Sequence, residues 1–255
     1  MTSATFRFYA RLNHFLPSER RSQPFTVVCA ENATIKHMVE ALGVPHTEIA
    51  LVLANGEAAA LDQQVTDGAR IAVYPEFASL DISTVTRVRQ PAGGVPIFVA
   101  DAHLGALARL LRMAGFDTLY DNGIDDAEIA KVAYQQGRVL LTRDRDLLKH
   151  RAVTHGCYVH SVKPHDQLRE LFDRLGLDTH IRPLSRCLNC NVVLQQIARA
   201  RVLERIPQGV RERHERFWLC EACDQVYWEG THWQKMRQML ETLTMPRSDN
   251  PNRSR

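Results

Sequence analysis

Between residues 96 and 180 short apolar runs alternate with amphipathic ones, and this alternation limits the fold more than any other feature of the chain. Residues 96–100 form an apolar strand. Leu104, Leu107, Ala108 and Leu111 then fall on one helical stripe, which Gly115 ends. Residues 116–120 read as a second strand. Asp125 caps the following helix, with Glu128 three residues on to complete a capping box, Ile129, Val132 and Ala133 as its buried face and Gly137 as its stop. Residues 138–142 carry the continuous apolar run Val139-Leu140-Leu141, and Asp144 opens another helical turn. Residues 157–162 form a strand, and Pro164 begins a helix through Leu168, Leu171 and Leu175. Repeated strand–helix units imply an α/β fold: a parallel sheet with helices on both faces.

The flanking regions differ in kind. Residues 1–77 predict two strands, at 5–10 and 25–29, then a helix capped by Thr34 and stopped at Gly43, then strands at 49–53 and 70–74, with tight turns at Asn55-Gly56 and Asp67-Gly68. Two strands, a helix and further strands in so short a stretch suggest an α+β β-grasp domain. Residues 78–95 turn to Ser, Thr, Arg, Gln, Pro and Gly and read as a linker. Residues 181–240 hold two cysteine pairs, and 241–255 form a polar tail expected to be disordered. No apolar run approaches the ~18 to 20 residues of a membrane helix, and no signal peptide is visible, so a cytoplasmic protein is expected.

The parallel sheet directs attention to its carboxyl ends, where sites of such folds lie. Asp101 directly follows the strand at 96–100. Asp144 follows the strand at 138–142, with Asp146 just beyond, and Asp126 opens the helix after another strand. Each acid alone has a structural explanation, as a helix cap or as a charge favoured at a helix N-terminus. Together at one sheet edge they repel one another, and a divalent cation with a taste for hard oxygen ligands, Mg²⁺ or Mn²⁺, is the natural relief. Such an ion lowers the pKa of a bound water and clamps a phosphate, which suits phosphodiester hydrolysis.

Six cysteines comprise the isolated Cys29 and Cys157, which sit in apolar runs and read as core thiols, and two C-x-x-C pairs, Cys187/Cys190 and Cys220/Cys223. Four thiolates in two knuckles match a structural, closed Zn²⁺ site. The 29 residues between the pairs exceed the ~15 to 20 of compact zinc sites, so the excess is expected to loop out at Pro207-Gln208-Gly209. With four cysteines present His232 is not needed as a ligand. Around the pairs lie Arg199, Arg201, Arg205, Arg211, Arg213 and Arg216, and residues 181–255 carry 13 basic against 8 acidic side chains. That excess fits a polyanion partner as well as a solvated face. Trp218 and Tyr227 are expected to pack the ribbon.

The stretches Phe98-Val99-Ala100-Asp101-Ala102-His103-Leu104-Gly105, Asp126-Ala127-Glu128-Ile129-Ala130 and Leu140-Leu141-Thr142-Arg143-Asp144-Arg145-Asp146-Leu147-Leu148 resemble a known family. They look like the PIN-like RNase domain named from the C-terminus of a worm mutator exonuclease. That family carries a zinc ribbon after the nuclease, and its bacterial members often carry a ubiquitin-like domain before it. Residues 67–75 and 43–48 resemble parts of that first domain. The resemblance spans roughly residues 5 to 236 and implies a PIN-like fold and a metal-dependent ribonuclease. Its acidic positions fall on Asp101, Asp126, Asp144 and Asp146. Thr142 and Arg143 lie within these stretches, and Arg109 lies in Leu107-Ala108-Arg109-Leu110-Leu111-Arg112, which shares the resemblance; the three are candidates for supporting the site or contacting RNA phosphate.

A β-grasp domain that carries sulfur ends in a free Gly-Gly, whereas Gly93-Gly94 is internal and followed by Val95-Pro96. Residues 1–77 are therefore expected to bind a protein partner or to serve a structural role. Two other functions compete with RNA hydrolysis. One is a non-catalytic RNA- or protein-binding adaptor with a degenerate nuclease domain. The other is an aspartyl phosphatase, suggested by Asp144-Arg145-Asp146 but weakened by Arg143 standing between strand and acid.

Overall fold

The computed structural model describes residues 1–76 and 94–244. The expected linker, 78–95, lies outside the described residues except at its last two, and so does the expected tail, 241–255, apart from residues 241–244, which continue a helix rather than being disordered.

The N-terminal domain comprises β1 (Ser3–Phe8), β2 (Phe25–Val28), α1 (Ile35–Ala41), β3 (Leu51–Ala54), β4 (Glu57–Ala58) and β5 (Ala69–Tyr74). They form a mixed sheet of order β2-β1-β5-β3-β4 in which β1 runs parallel to β5 and antiparallel to β2. Alternation in β1 sends Phe6 and Phe8 inward to meet Ile35 and Val39 of α1 and Ile71 and Val73 of β5. Thr34 caps α1 by accepting the His37 N–H at 3.2 Å. The turn between β3 and β4 needs two left-handed residues, and Asn55 (φ 52°) and Gly56 (φ 92°) provide them. This is the β-grasp, ubiquitin-like arrangement expected.

The chain continues through β6 (Phe98–Ala100), α2 (Gly105–Ala114), β7 (Thr118–Tyr120), α3 (Asp126–Gln136), β8 (Val139–Thr142), α4 (Arg145–Lys149), β9 (Gly156–Tyr158) and α5 (Pro164–Leu175). Beyond these lie β10 (Gln195–Ile197), α6 (Gln208–Arg213), β11 (Phe217–Leu219), β12 (Val226–Trp228) and α7 (Thr231–Thr244). The elements sort into two compact units that interleave along the sequence, one of residues 1–103 and 121–159, the other of 104–120 and 160 onward.

In the first unit β8 lies between β6 and β9 and is parallel to both. The ladder runs past the strand ends, since the Asp101 N–H donates to the Leu141 carbonyl and the Val159 N–H to the Thr142 carbonyl, both at 2.9 Å. Helix α3 lies against β6 and β8. It is capped by Asp125, which accepts the Glu128 N–H at 2.8 Å. Glu128 itself pairs with Lys131, so the capping box has one half of its expected reciprocity. Val132 is only half-buried on this helix.

The N-terminal domain belongs to the same unit and meets β9 and α4. Glu48 has a fully buried side chain 3.5 Å from the Arg11 guanidinium. Its Oε1 accepts the Tyr158 N–H at 2.6 Å, so a carboxylate from the first domain satisfies the backbone of β9. His46 bridges the same seam, with Nδ1 2.7 Å from Glu40 Oε1 and Nε2 3.0 Å from the Val153 carbonyl. Gly156 permits the approach. A Cβ there would lie 2.5 Å from Leu148 Cδ2 and 3.4 Å from Thr47 Cβ.

In the second unit α2 packs against α5, burying Leu107, Leu111, Leu168 and Leu171, with Phe116 edge-on to Phe172 at 6.0 Å. Leu175, expected on the buried stripe, is exposed in the last turn of α5. Gly115 ends α2 at φ +99°, and a Cβ on it would lie 2.2 Å from the Arg182 carbonyl oxygen, so only glycine fits. The ribbon is an antiparallel sheet of order β10-β11-β12. The stretch between the cysteine pairs does not loop out as expected. Pro207 begins α6, and Val202 and Ile206 are buried with Phe217 and Val226 in a small core.

Replacing Glu48 by Ala removes the acceptor of the Tyr158 N–H and the carboxylate beside the Arg11 guanidinium. We expect a loss of about 2 kcal/mol in urea unfolding, the cost of losing a hydrogen bond to a buried carboxylate, with Glu48→Gln losing less.

Candidate functional site

The ends of β6 and β8 are locked together by one hydroxyl. Thr142, the last residue of β8, is completely buried. Its Oγ1 donates to Asp101 Oδ2 at 2.6 Å and accepts the Asp144 N–H at 2.9 Å. Asp101 and Asp144 are thereby tied to each other just beyond the ends of neighbouring strands. Asp144 also caps α4, its Oδ1 accepting the N–H groups of Asp146 at 2.7 Å and Leu147 at 3.4 Å. Asp126 is the first residue of α3. Asp146 is exposed and pairs with Lys149 at 2.9 Å. The hydrogen bond and charge of Lys149 hold its carboxyl below the usual range.

All four acids line one open pocket, together with Arg143, Arg145, His103 and Tyr158. They share a pocket without converging on a point. Among the described residues, only the four ribbon cysteines bring three or more potential ligand atoms within 4.8 Å of one another. Carboxylates repel at short range, and oxygens of Asp101 and Asp144 are already engaged in hydrogen bonds. The donor set is nonetheless all oxygen and acidic, the chemistry that Mg²⁺ and Mn²⁺ prefer.

The remaining candidates divide. Thr142, a candidate phosphate contact, is sealed from solvent with its hydroxyl engaged on both sides, so its role is to position the two acids. Arg143 is exposed and lines the pocket. Arg109 is exposed on α2, in the second unit. His103, Arg145 and Tyr158 were not singled out from sequence. The strand-end rule that selected Asp101 and Asp144 also selects Tyr158, the last residue of β9.

The second centre is the ribbon. Cys187 and Cys223 have sulfurs 3.4 Å apart, and those of Cys190 and Cys220 are 3.3 Å apart. A tetrahedral zinc with Zn–S bonds of ~2.3 Å spaces its sulfurs roughly 3.8 Å apart, so the set fits such an ion with a small expansion. Each knuckle turns on a left-handed residue directly after its second cysteine, Asn191 (φ 68°) and Asp224 (φ 58°). Burial pushes the Cys187 thiol up, but hydrogen bonds from the Tyr227 hydroxyl and the Cys190 and Asn189 backbone outweigh it and bring it down to about 6. Burial and the neighbouring thiols push Cys223 up to about 12. A buried Arg112 on α2 donates to the carbonyls of Leu188 at 3.1 Å and Asn189 at 2.7 Å and so supports the first knuckle. Trp218 and Tyr227 pack on the cysteine core, as expected.

Several ribbon arginines are held by acids of the same region: Arg199 by Glu215 at 3.1 Å, Arg205 by Asp224 and Arg216 by Glu229, both at 2.7 Å. Much of the local basic excess is thus tied into the ribbon itself. Cys29 and Cys157 are buried, as expected of core thiols. The side chain of His232 lies outside the described residues. Among the described residues no helix is long and apolar enough to cross a membrane.

Comparison with known proteins is informative at the level of domains. The model of the Mut7-C RNAse domain matches residues 96–240, and that of the Mut7-C ubiquitin domain matches residues 1–81. No curated protein matches the chain. Two crystal structures of small archaeal modifier protein 1 from Haloferax volcanii are similar to it, at 24% and 25% identity. They cover 30% and 31% of this chain and 100% and 99% of their own, each with a TM-score of 0.25.

Thr142→Val keeps the shape of the strand end and removes the hydroxyl, leaving the Asp144 N–H without its acceptor. Urea unfolding should show a loss of about 1 to 2 kcal/mol, and Thr142→Ser should recover most of it.

Proposed function

Because the chain belongs to the Mut7-C RNAse domain family, we propose that it is a metal-dependent ribonuclease whose acidic pocket hydrolyses RNA phosphodiester bonds. The observation that carries this reading is the delivery of Asp101, Asp126, Asp144 and Asp146 to one open pocket that also holds Arg143 and Arg145. A bound Mg²⁺ or Mn²⁺ would supply an activated water and neutralise charge on the phosphate. Asp101 and Asp144 are the principal ligands in this reading, since Thr142 fixes their relative position before any ion arrives. Asp126 and Asp146 complete the acidic lining. Arg143, exposed at the rim, meets the RNA backbone, and Arg109 is a further candidate for such a contact. The spread of the carboxylates favours one alternative, a non-catalytic adaptor that binds RNA or protein. The internal Gly93-Gly94 leaves the ubiquitin-like domain a binding or structural role, with a protein partner as its proposed ligand.

Asp101→Asn and Asp144→Asn test the active site without dismantling it, because asparagine also serves as a helix cap at position 144. With Mg²⁺ or Mn²⁺ present, each should lower RNA cleavage by at least about 100-fold, given that even outer-shell partners of a metal ligand are worth 10–100-fold. Cleavage at the wild-type rate by both variants would refute the assignment, and RNA binding without metal and without cleavage in the wild type would select the adaptor.

For the ribbon we propose one structural Zn²⁺ on Cys187, Cys190, Cys220 and Cys223. Elemental analysis of the purified chain should find one zinc per molecule. A strong chelator should expose four additional reactive thiols and lower the unfolding midpoint, whereas Cys190→Ser should abolish stoichiometric zinc. Full zinc retention by that variant would contradict the ligand set.

A further inference from the structure

We propose that Arg145, in addition to Arg143 of the same pocket, grips an RNA phosphate, and that the N-terminal domain holds its guanidinium in place. The inference rests on the reading of this pocket as an RNA site and adds to it a binding residue and a task for the first domain. Arg145 lies between two of the acids in sequence and lines the same pocket. Its charge acts through space on the neighbouring Asp146 carboxylate, while its hydrogen-bond partners are two backbone carbonyls. The partners that hold it are neutral, and most come from the N-terminal domain. Nη1 donates to the Phe15 carbonyl at 3.1 Å, and Nη2 approaches the His14 carbonyl at 3.5 Å. The guanidinium carbon lies 5.2 Å from the centroid of the Phe15 ring and 5.9 Å from that of Tyr158. These rings meet edge-on, with centroids 5.2 Å apart.

The chemistry of those partners decides what Arg145 can do. Carbonyl oxygens and ring faces orient a guanidinium without cancelling its charge, whereas a carboxylate would cancel it. The fork is pre-set, and donors not used on the two carbonyls remain for an anion. The pocket is otherwise rich in carboxylates and would repel a phosphodiester, so a fixed cation at its wall gives the backbone a place to attach before any metal neutralises the acids. Phe15 and Tyr158 act through Arg145 and are positioning residues in this account. The other way to use such an arginine is as a simple pin between the first domain and α4.

The test is RNA binding, measured by fluorescence anisotropy of a labelled oligouridylate with the full chain, with calcium in place of magnesium to suppress turnover. Arg145→Met should weaken binding about tenfold. It should also lower the slope of log affinity against log salt by about 0.7, the signature of one lost phosphate contact on a single strand. Arg145→Lys should keep the slope and still bind less tightly, because an ammonium lacks the fork. Phe15→Leu, which keeps the apolar volume and removes the ring, should weaken binding about threefold with the slope unchanged. Wild-type affinity and slope in Arg145→Met, with only the unfolding midpoint lowered, would reduce Arg145 to a pin and overturn the proposal. Unchanged binding in Phe15→Leu would overturn the part assigned to the first domain. Loss of cleavage with RNA binding intact speaks against the hydrolase reading alone, while a wild-type chain that binds no oligouridylate overturns this proposal.

Discussion

The hydroxyl of Thr142 is the joint on which the acidic pocket is built. It ties the carboxylate after β6 to the backbone after β8, so the two strand ends cannot shift independently. Everything further out inherits that register. Asp144 is fixed in the one orientation that lets it cap α4. That short helix sets Arg145 and Asp146 on the pocket wall, and Leu147 and Leu148 in the core. A threonine suits the position because its methyl group fills a buried strand end while its hydroxyl makes two hydrogen bonds.

The seam with the N-terminal domain solves a different problem. A strand at the edge of a sheet presents backbone groups that seek partners. At β9 one of these is taken by a carboxylate, Glu48, from the first domain, so the two domains share polar groups as well as apolar surface. His46 adds a second bridge by spanning Glu40 and the Val153 carbonyl. The ubiquitin-like domain therefore covers part of the boundary of the sheet that carries the acidic pocket.

Much of this was legible in sequence. Strand–helix alternation gave the parallel strands. Turn chemistry at Asn55-Gly56 and capping by Thr34 and Asp125 placed boundaries to within a few residues. The C-x-x-C spacing gathered the four thiols. What failed to show has identifiable causes. The sequence between the cysteine pairs was read by its Pro-Gln-Gly turn signal, but Val202 and Ile206 found a core under Phe217 and the stretch folded. Sequence leaves Thr142 between supporting the site and contacting phosphate, and its burial, decided by neighbouring strands, selects the supporting role. Arg145 drew no notice because its partners, Phe15 and Tyr158, are distant in sequence and meet only after folding. Burial and long-range contact are properties of the assembled sheet and leave no local periodicity to read.

The interleaving of the two units carries a consequence for how the molecule comes into being. Residues 104–120 belong with the region from 160 onward, although they are made before the segment 121–159 that completes the first unit. During synthesis the chain must leave α2 waiting while β8 and β9 emerge, and the arrival of α5 gives that helix its partners Leu168 and Leu171. Order of synthesis and order of assembly are therefore different, and a chain halted before residue 164 would present the stripe of Leu107 and Leu111 without the helix that covers it. Exposed apolar helices of that kind are what chaperones and proteases recognise. The arrival of α5 thus separates a chain that can bury this stripe from a fragment that cannot.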